Sequence, residues 1–153
     1  MCTTIVVGKD RSATGSVMMA HSEELGRNSA HKVEIVPKQI HAAQATFPLY
    51  SGKGLAEANQ TARYISTRIF EKCHYPGDHT SGVNEYGVMV ANNLALLKEL
   101  SEADGYAIHL DGVIWTEFSQ LVLERAKTAR EGVELIGRLC QERGLSCDSA
   151  TML

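Results

Sequence analysis

Cys2, directly behind the initiator Met, is the residue best placed to do chemistry in this chain of 153 residues. Its side chain is small enough for methionine aminopeptidase to tolerate, so loss of Met1 would leave Cys2 with both a thiol and a free α-amino group. A Cys thiol is only a few per cent thiolate at neutral pH and needs a base or a positive field to react. An α-amino group titrates near about 7.7 to 8.0, so it can take the thiol proton during attack and return it to a leaving amine. The plainer alternative is a small residue opening a buried strand, since free Cys is among the most buried residue types. Further on stand His21, a donor or cation that could hold a thiolate or polarise a carbonyl, and Glu24, which could orient His21 or grip a substrate amine. Asn92 and Asn93 offer side-chain amides that can donate to a developing oxyanion.

These residues must be brought together by the elements that carry them. Residues 3–7 are rich in β-branched side chains and residues 17–20 form a second apolar run, with polar turn chemistry from Lys9 to Gly15 between them. The pair reads as a β-hairpin with a long loop. A turn centred near Ser12 sets Cys2 opposite His21 or Ser22, and a slip of one residue exchanges the faces. Residues 31–37 alternate polar and apolar up to Pro37, the period of a half-buried strand. Residues 38–59 read as a surface loop; Gly52 and Gly54 lack the paired Lys and Ser/Thr of a phosphate cradle. Residues 61–69 are β-prone again. Asn84-Glu85-Tyr86-Gly87 is a tight turn with Gly87 free to take positive φ, and Val88 to Ala91 is a buried strand that delivers Asn92 and Asn93 at its end.

Residues 94–111 read as a polar connection. Beyond it Ile114, Phe118, Leu121, Val122 and Arg125 share one helical face. Thr128-Ala129-Arg130-Glu131 is a capping box that opens a second helix through Val133, Ile136, Leu139 and Cys140, with Gly144 as its C-terminal stop. Cys140 is expected on the buried stripe, as a core thiol. The two helices form an αα-hairpin that covers a sheet.

Composition narrows the function classes. At 44% hydrophobic and 22% charged the chain is ordinary globular material for one domain. A net charge of -3 and a pI of about 6.1 give no basic stripe, so nucleic acid and anionic membranes are not expected partners. No apolar run nears the roughly 18 residues of a membrane span, and the N-terminus has no secretory signal. Four cysteines at 2, 73, 140 and 147 form no CxxC pair, which suggests reduced thiols in the cytoplasm. Cys73, His74, Asp78 and His79 are ligand types, but their spacing fits no tetrahedral zinc pattern and no metal is expected there.

Four stretches taken together, Cys2-Thr3-Thr4-Ile5-Val6-Val7-Gly8-Lys9, Gly15-Ser16-Val17-Met18-Met19-Ala20-His21-Ser22-Glu23-Glu24, Gly82-Val83-Asn84-Glu85-Tyr86-Gly87-Val88 and Leu123-Glu124-Arg125-Ala126-Lys127-Thr128-Ala129-Arg130-Glu131-Gly132-Val133, give the chain a specific likeness. It resembles the N-terminal part of the dipeptidase A family of N-terminal-nucleophile (Ntn) hydrolases, a group that includes the secernins.

The resemblance implies an α+β fold, a four-layer αββα sandwich of largely antiparallel sheets with an αα-hairpin, present here as an N-terminal portion in a single domain. It implies Cys2 as nucleophile, His21 and Glu24 beside it, Asn92 or Asn93 at the oxyanion, and hydrolysis of dipeptides and other short peptides without metal or organic cofactor. Relatives acting on bile salts or penicillin carry an Arg and an Asp where His21 and Glu24 stand. His is only partly charged at neutral pH whereas Arg always is, so the role at position 21 changes. Family members also continue well past the point where this chain stops. Uncovered sheet edges and apolar faces are therefore expected, to be met by homo-oligomerisation, a partner subunit or a missing C-terminal portion. Two alternatives stand beside the dipeptidase: a non-catalytic Ntn-fold interaction domain, and an amidase acting on N-acyl amides.

Overall fold

The computed structural model describes residues 2–23, 30–70, 79–95, 112–145 and 150–152. Glu24, Cys73, His74, Asp78 and the connection 96–111 lie outside the described residues.

The β-branched opening forms β1 (Thr3–Val7), and the second apolar run forms β2 (Met18–Ser22) antiparallel to it. The loop between them includes a single 3₁₀ turn at Lys9–Arg11 and Gly15 at φ 69°. The ladder starts at Val7↔Met18 and runs to Thr3↔Ser22. Continued by one step it sets Cys2 across from Glu23, one residue beyond Ser22 and two beyond His21, the partners expected from a turn at Ser12. The difference arises because the turn centres between Ser12 and Ala13.

The main sheet has four antiparallel strands in the order β10-β9-β8-β3. They are β3 (Ala30–Val36), β8 (Tyr64–Phe70), β9 (His79–Asn84) and β10 (Met89–Ala91). Alternation sends Tyr64 and Ser66 to one face, both buried, and Ile65 and Thr67 to the other. A register shift between Thr67 and Arg68 inserts Thr80 as a bulge, so His79 turns to the Tyr64 face, where its Nδ1 lies 2.6 Å from Ser66 Oγ. Gly82 is required at the sheet centre: a Cβ there would lie 2.5 Å from the Ile65 carbonyl oxygen and 2.9 Å from Leu123 Cδ1.

That face is covered by α1 (Trp115–Arg125), against which α2 (Ala129–Arg143) packs, with Ile136 of α2 reaching the sheet-side cluster. Tyr64, Val88 and Val90 from the sheet meet Val122, Leu123 and Ala126 in one apolar cluster. Thr128 caps α2 by accepting from Glu131 N–H, and the Glu131 carboxylate reaches back to the Lys127 N–H at 2.8 Å. The face that α2 buries is Gly132, Leu135 and Leu139, with Val133 exposed. Cys140 is exposed, not core. It follows Leu139 by about 100° of helical turn, which carries it off a stripe narrowed by the close approach of Gly132 to Val122.

Residues 38–59 are more than a surface loop. They contain β4 (Gln39–Ile40), β5 (Thr46–Pro48) and β6 (Gly54–Ala56), with β4 paired to β7 (Gln60–Thr61) and β5 to β6. Phe47, Leu49 and Leu55 pack on Phe118, Leu121, Leu135 and Leu139, so α1 has apolar partners on two sides. The buried Glu117 fastens this layer, accepting from the N–H groups of Tyr50 at 2.6 Å and Ile114 at 2.8 Å. Burial pushes its pKa up against those two donors.

The order is therefore helices, main sheet, then the β1–β2 hairpin across the sheet's other face, an α+β arrangement that fits an incomplete αββα sandwich. Among the described residues, β11 (Asn93–Ala95) also pairs with β12 (Ala150–Met152).

Candidate active site

A cleft of about 270 Å³ lies between the hairpin and the main sheet. Met19 and His21 form its hairpin side, Val33, Ile65, Val83 and Met89 its apolar walls, and Thr67 and Ser81 a hydroxyl floor. Thr67 Oγ1 lies 2.6 Å from Ser81 Oγ and 3.0 Å from Thr80 Oγ1, which fixes that floor. Ile35, Ile65, Val83 and Met89 stand in register across the four strands. Val33 and Ile35 remain 69% and 68% exposed, so the sheet presents an open apolar face.

Cys2 is half-buried at the entrance to β1. Residues two apart on a strand share a face, so Cys2 and Thr4 do, together with His21, the partner of Thr4 across the ladder. Thr4 Oγ1 lies 2.9 Å from His21 Nδ1 and within 2.9 to 3.0 Å of the Asn93 side-chain amide. A single hydroxyl proton gives this triad two arrangements. In one, Asn93 Nδ2 donates to Thr4, Thr4 donates to His21 Nδ1, and His21 carries its proton on Nε2. In the other, His21 Nδ1–H donates to Thr4 and Thr4 donates to Asn93 Oδ1, leaving a lone pair on Nε2. His21 Nε2 is buried with no hydrogen-bond partner among the described residues, so in either arrangement the ring is held through Nδ1 alone among them.

Asn92 is turned elsewhere. Its Nδ2 donates to the Trp115 carbonyl at 3.2 Å and to Ser119 Oγ, tying the end of β10 to the first turn of α1. Its Oδ1 is buried with no hydrogen-bond partner among the described residues. Of the residues singled out in the sequence, the structure brings Cys2, His21 and Asn93 to one end of the hairpin and sets Asn92 against α1.

Three more residues belong to this end. Thr4 joins His21 to Asn93. Glu23 is the residue that the hairpin register, continued one step past Thr3↔Ser22, sets across from Cys2, and its Oε2 lies 3.2 Å from His31 Nε2 on β3, an ion-pair distance without hydrogen-bond alignment. Met19 and His21 of β2 and Val33 of β3 line the cleft, and the parity of these odd positions, continued to Glu23 and His31, is the signal that would have found both. Among the described residues no three His, Cys, Asp or Glu side chains gather as metal ligands, and no helix is long and apolar enough to cross a membrane.

Comparison with known proteins supplies the lineage. The chain is 29% identical over 150 residues to a probable dipeptidase of Latilactobacillus sakei, covering 94% of this chain and 30% of that protein. It is 26% identical over 147 residues to a probable dipeptidase of Salmonella dublin, covering 94% of this chain and 33% of the relative. A dipeptidase of Bifidobacterium longum is 30% identical over 157 residues, with 94% and 29% covered. The chain thus spans about a third or less of the length of these relatives. Peptidase family C69 matches residues 1–152, nearly the whole sequence. On that match, the chain belongs to peptidase family C69.

Proposed function

We propose that this chain carries the nucleophile of a cysteine-type amidohydrolase that cleaves dipeptides and other short peptides in the cytoplasm. The observation that carries the reading is the shared strand face of Cys2, Thr4 and His21, with Asn93 hydrogen-bonded to it. With Met1 removed, the Cys2 α-amino group accepts the thiol proton while Sγ attacks the scissile carbonyl. The oxyanion is met by backbone N–H groups, by Asn93 and by His21 when its proton sits on Nε2. Collapse of the tetrahedral adduct breaks the C–N bond, and the ammonium returns its proton to the departing amine. A water molecule, deprotonated by the same amine, then hydrolyses the thioester. Thr4 is a positioning residue that holds His21 and Asn93 in one orientation.

Glu24 keeps its place in this proposal as a helper to His21. Asn92 acts at a distance, by anchoring the strand end that presents Asn93. Dipeptide hydrolysis by the protein and its Cys2→Ser and Cys2→Ala variants, with intact-mass measurement of Met1, tests the reading. Loss of Met1, stoichiometric thiol labelling at Cys2 and loss of at least about a thousandfold in rate on Cys2→Ala are expected. Unchanged hydrolysis in Cys2→Ala would rule the mechanism out. A panel of dipeptides against N-acyl amides separates peptidase from amidase.

The exposed Val33 and Ile35 favour a second reading, in which the chain serves as an interaction unit. Retained Met1 together with a defined oligomer in light scattering would support it.

A further inference from the structure

Glu23 is a carboxylate in an unusual position. Its side chain is only 6% exposed, strand parity continued past Ser22 sets it on the hairpin face of Met19 and His21, which line the cleft, and its Oε2 has no hydrogen-bond donor among the described residues. A buried carboxylate is costly unless paired and hydrogen-bonded, and His31 supplies proximity at 3.2 Å without alignment. Glu23 Oε2 therefore has acceptor capacity that the described residues leave unused.

Its location relative to Cys2 gives that capacity a use. Cross-strand neighbours hold their Cβ atoms about 4.5 to 5.5 Å apart, and the hairpin register continued by one step makes Cys2 and Glu23 such a pair. In a dipeptide the free amine is one residue from the scissile carbonyl, with nitrogen and carbonyl carbon separated by about 2.5 Å. A carbonyl held over the Cys2 sulfur thus places the ammonium within reach of a carboxylate on the facing strand. A longer peptide bound in the same way with an upstream residue has an amide nitrogen there, which brings no charge.

We propose that Glu23 is the acceptor for the substrate's free α-ammonium group, with His31 as the neighbour that occupies it when the cleft is empty. This rests on the dipeptidase reading and adds to it the residue that selects peptides with an unblocked amino end. The ammonium supplies the charge-assisted hydrogen bond that His31 does not make. Glu23 then determines specificity and takes no part in bond cleavage.

Binding to the Cys2→Ala protein, which does not turn substrate over, tests the proposal by calorimetry with Leu-Leu and N-acetyl-Leu-Leu as probes. Leu-Leu is expected to bind about tenfold to a hundredfold more tightly, the range of a hydrogen bond to a charged group. Adding Glu23→Gln, which keeps the shape and removes the charge, should abolish that difference, and Glu23→Asp should restore part of it. Persistence of the preference in the Glu23→Gln protein, absence of a preference before it, or no binding of either peptide would overturn the proposal. So would a Glu23→Gln enzyme whose Cys2 alkylation shifts in pH while KM for Leu-Leu stays fixed, since Glu23 would then serve the nucleophile's own amine. Discrimination in binding with no hydrolysis by the unmodified chain would instead overturn the dipeptidase reading and leave the ammonium site standing.

Discussion

Replacing Asn84 by alanine removes four hydrogen bonds at once. Nδ2 donates to the carbonyls of Leu123 at 3.1 Å and Ala126 at 2.6 Å, and Oδ1 accepts from the N–H groups of Tyr86 and Val88, each at 3.0 Å. The residue is 5% exposed, so little water replaces what is lost. At about 1 kcal/mol net for each bond, and with the two carbonyls at the end of α1 left without that donor, Asn84→Ala should lose about 3 to 4 kcal/mol. That is a large fraction of the roughly 5 to 15 kcal/mol typical of a domain. Asn84→Asp keeps the acceptor but turns a carboxylate oxygen toward two carbonyl oxygens, and should be worse still at neutral pH. Urea unfolding followed by circular dichroism gives the difference directly, with an unchanged m-value confirming that the same surface is exposed. A loss below about 1 kcal/mol would refute the reasoning, because the turn and helix end would then be satisfied without the amide. The effect reaches the site as well, since the β9–β10 turn held by Asn84 leads into β10, and Asn93 follows two residues after that strand ends.

Thr4→Val, which keeps the shape of the side chain, should lower kcat for dipeptide hydrolysis by about tenfold with KM little changed, while Thr4→Ser retains activity; steady-state kinetics on the pair checks this. The buried ring of His79 has its pKa held down to about 4, chiefly by desolvation and then by Arg68. It is neutral when folded and takes up a proton more readily when unfolded, so its contribution is full above about pH 6.5 and is lost as pH falls towards about 4. The loss should reach roughly 3 kcal/mol, and His79→Gln should flatten a plot of unfolding free energy across that window.

The parts of the fold written in local chemistry were legible in the sequence. The β-branched run at Thr3 to Val7, Gly87 in its turn at φ 80° and the Thr128 cap each depend on a few adjacent residues. What was not legible depends on partners far away in the chain. Phe47 and Leu55 look isolated in a polar stretch and become core only because α1 and α2 arrive against them. The sequence pattern places the α2 stripe on Val133 and Cys140 because Gly132, which has no side chain to signal burial, packs closely on Val122 of α1. Cys2, His21 and the Asn pair were visible as candidates, whereas separating Asn92 from Asn93 required knowing that α1 lies behind one and the hairpin before the other. The sequence sets the segment from His21 to Glu24 beside Cys2, and singling out Glu23 within it takes a hairpin register exact to one residue.

The two apolar clusters share α1, and neither includes a side chain of the β1–β2 hairpin. Substitutions that tighten the interior would raise the melting temperature yet leave the thiol-bearing ribbon as loosely tethered as before. Reinforcing the seam from Thr4 to Asn93 would do the opposite, steadying the reactive end while adding little to global resistance to heat. Under the proposed mechanism, thermostability and precision of attack are thus separately adjustable in this architecture.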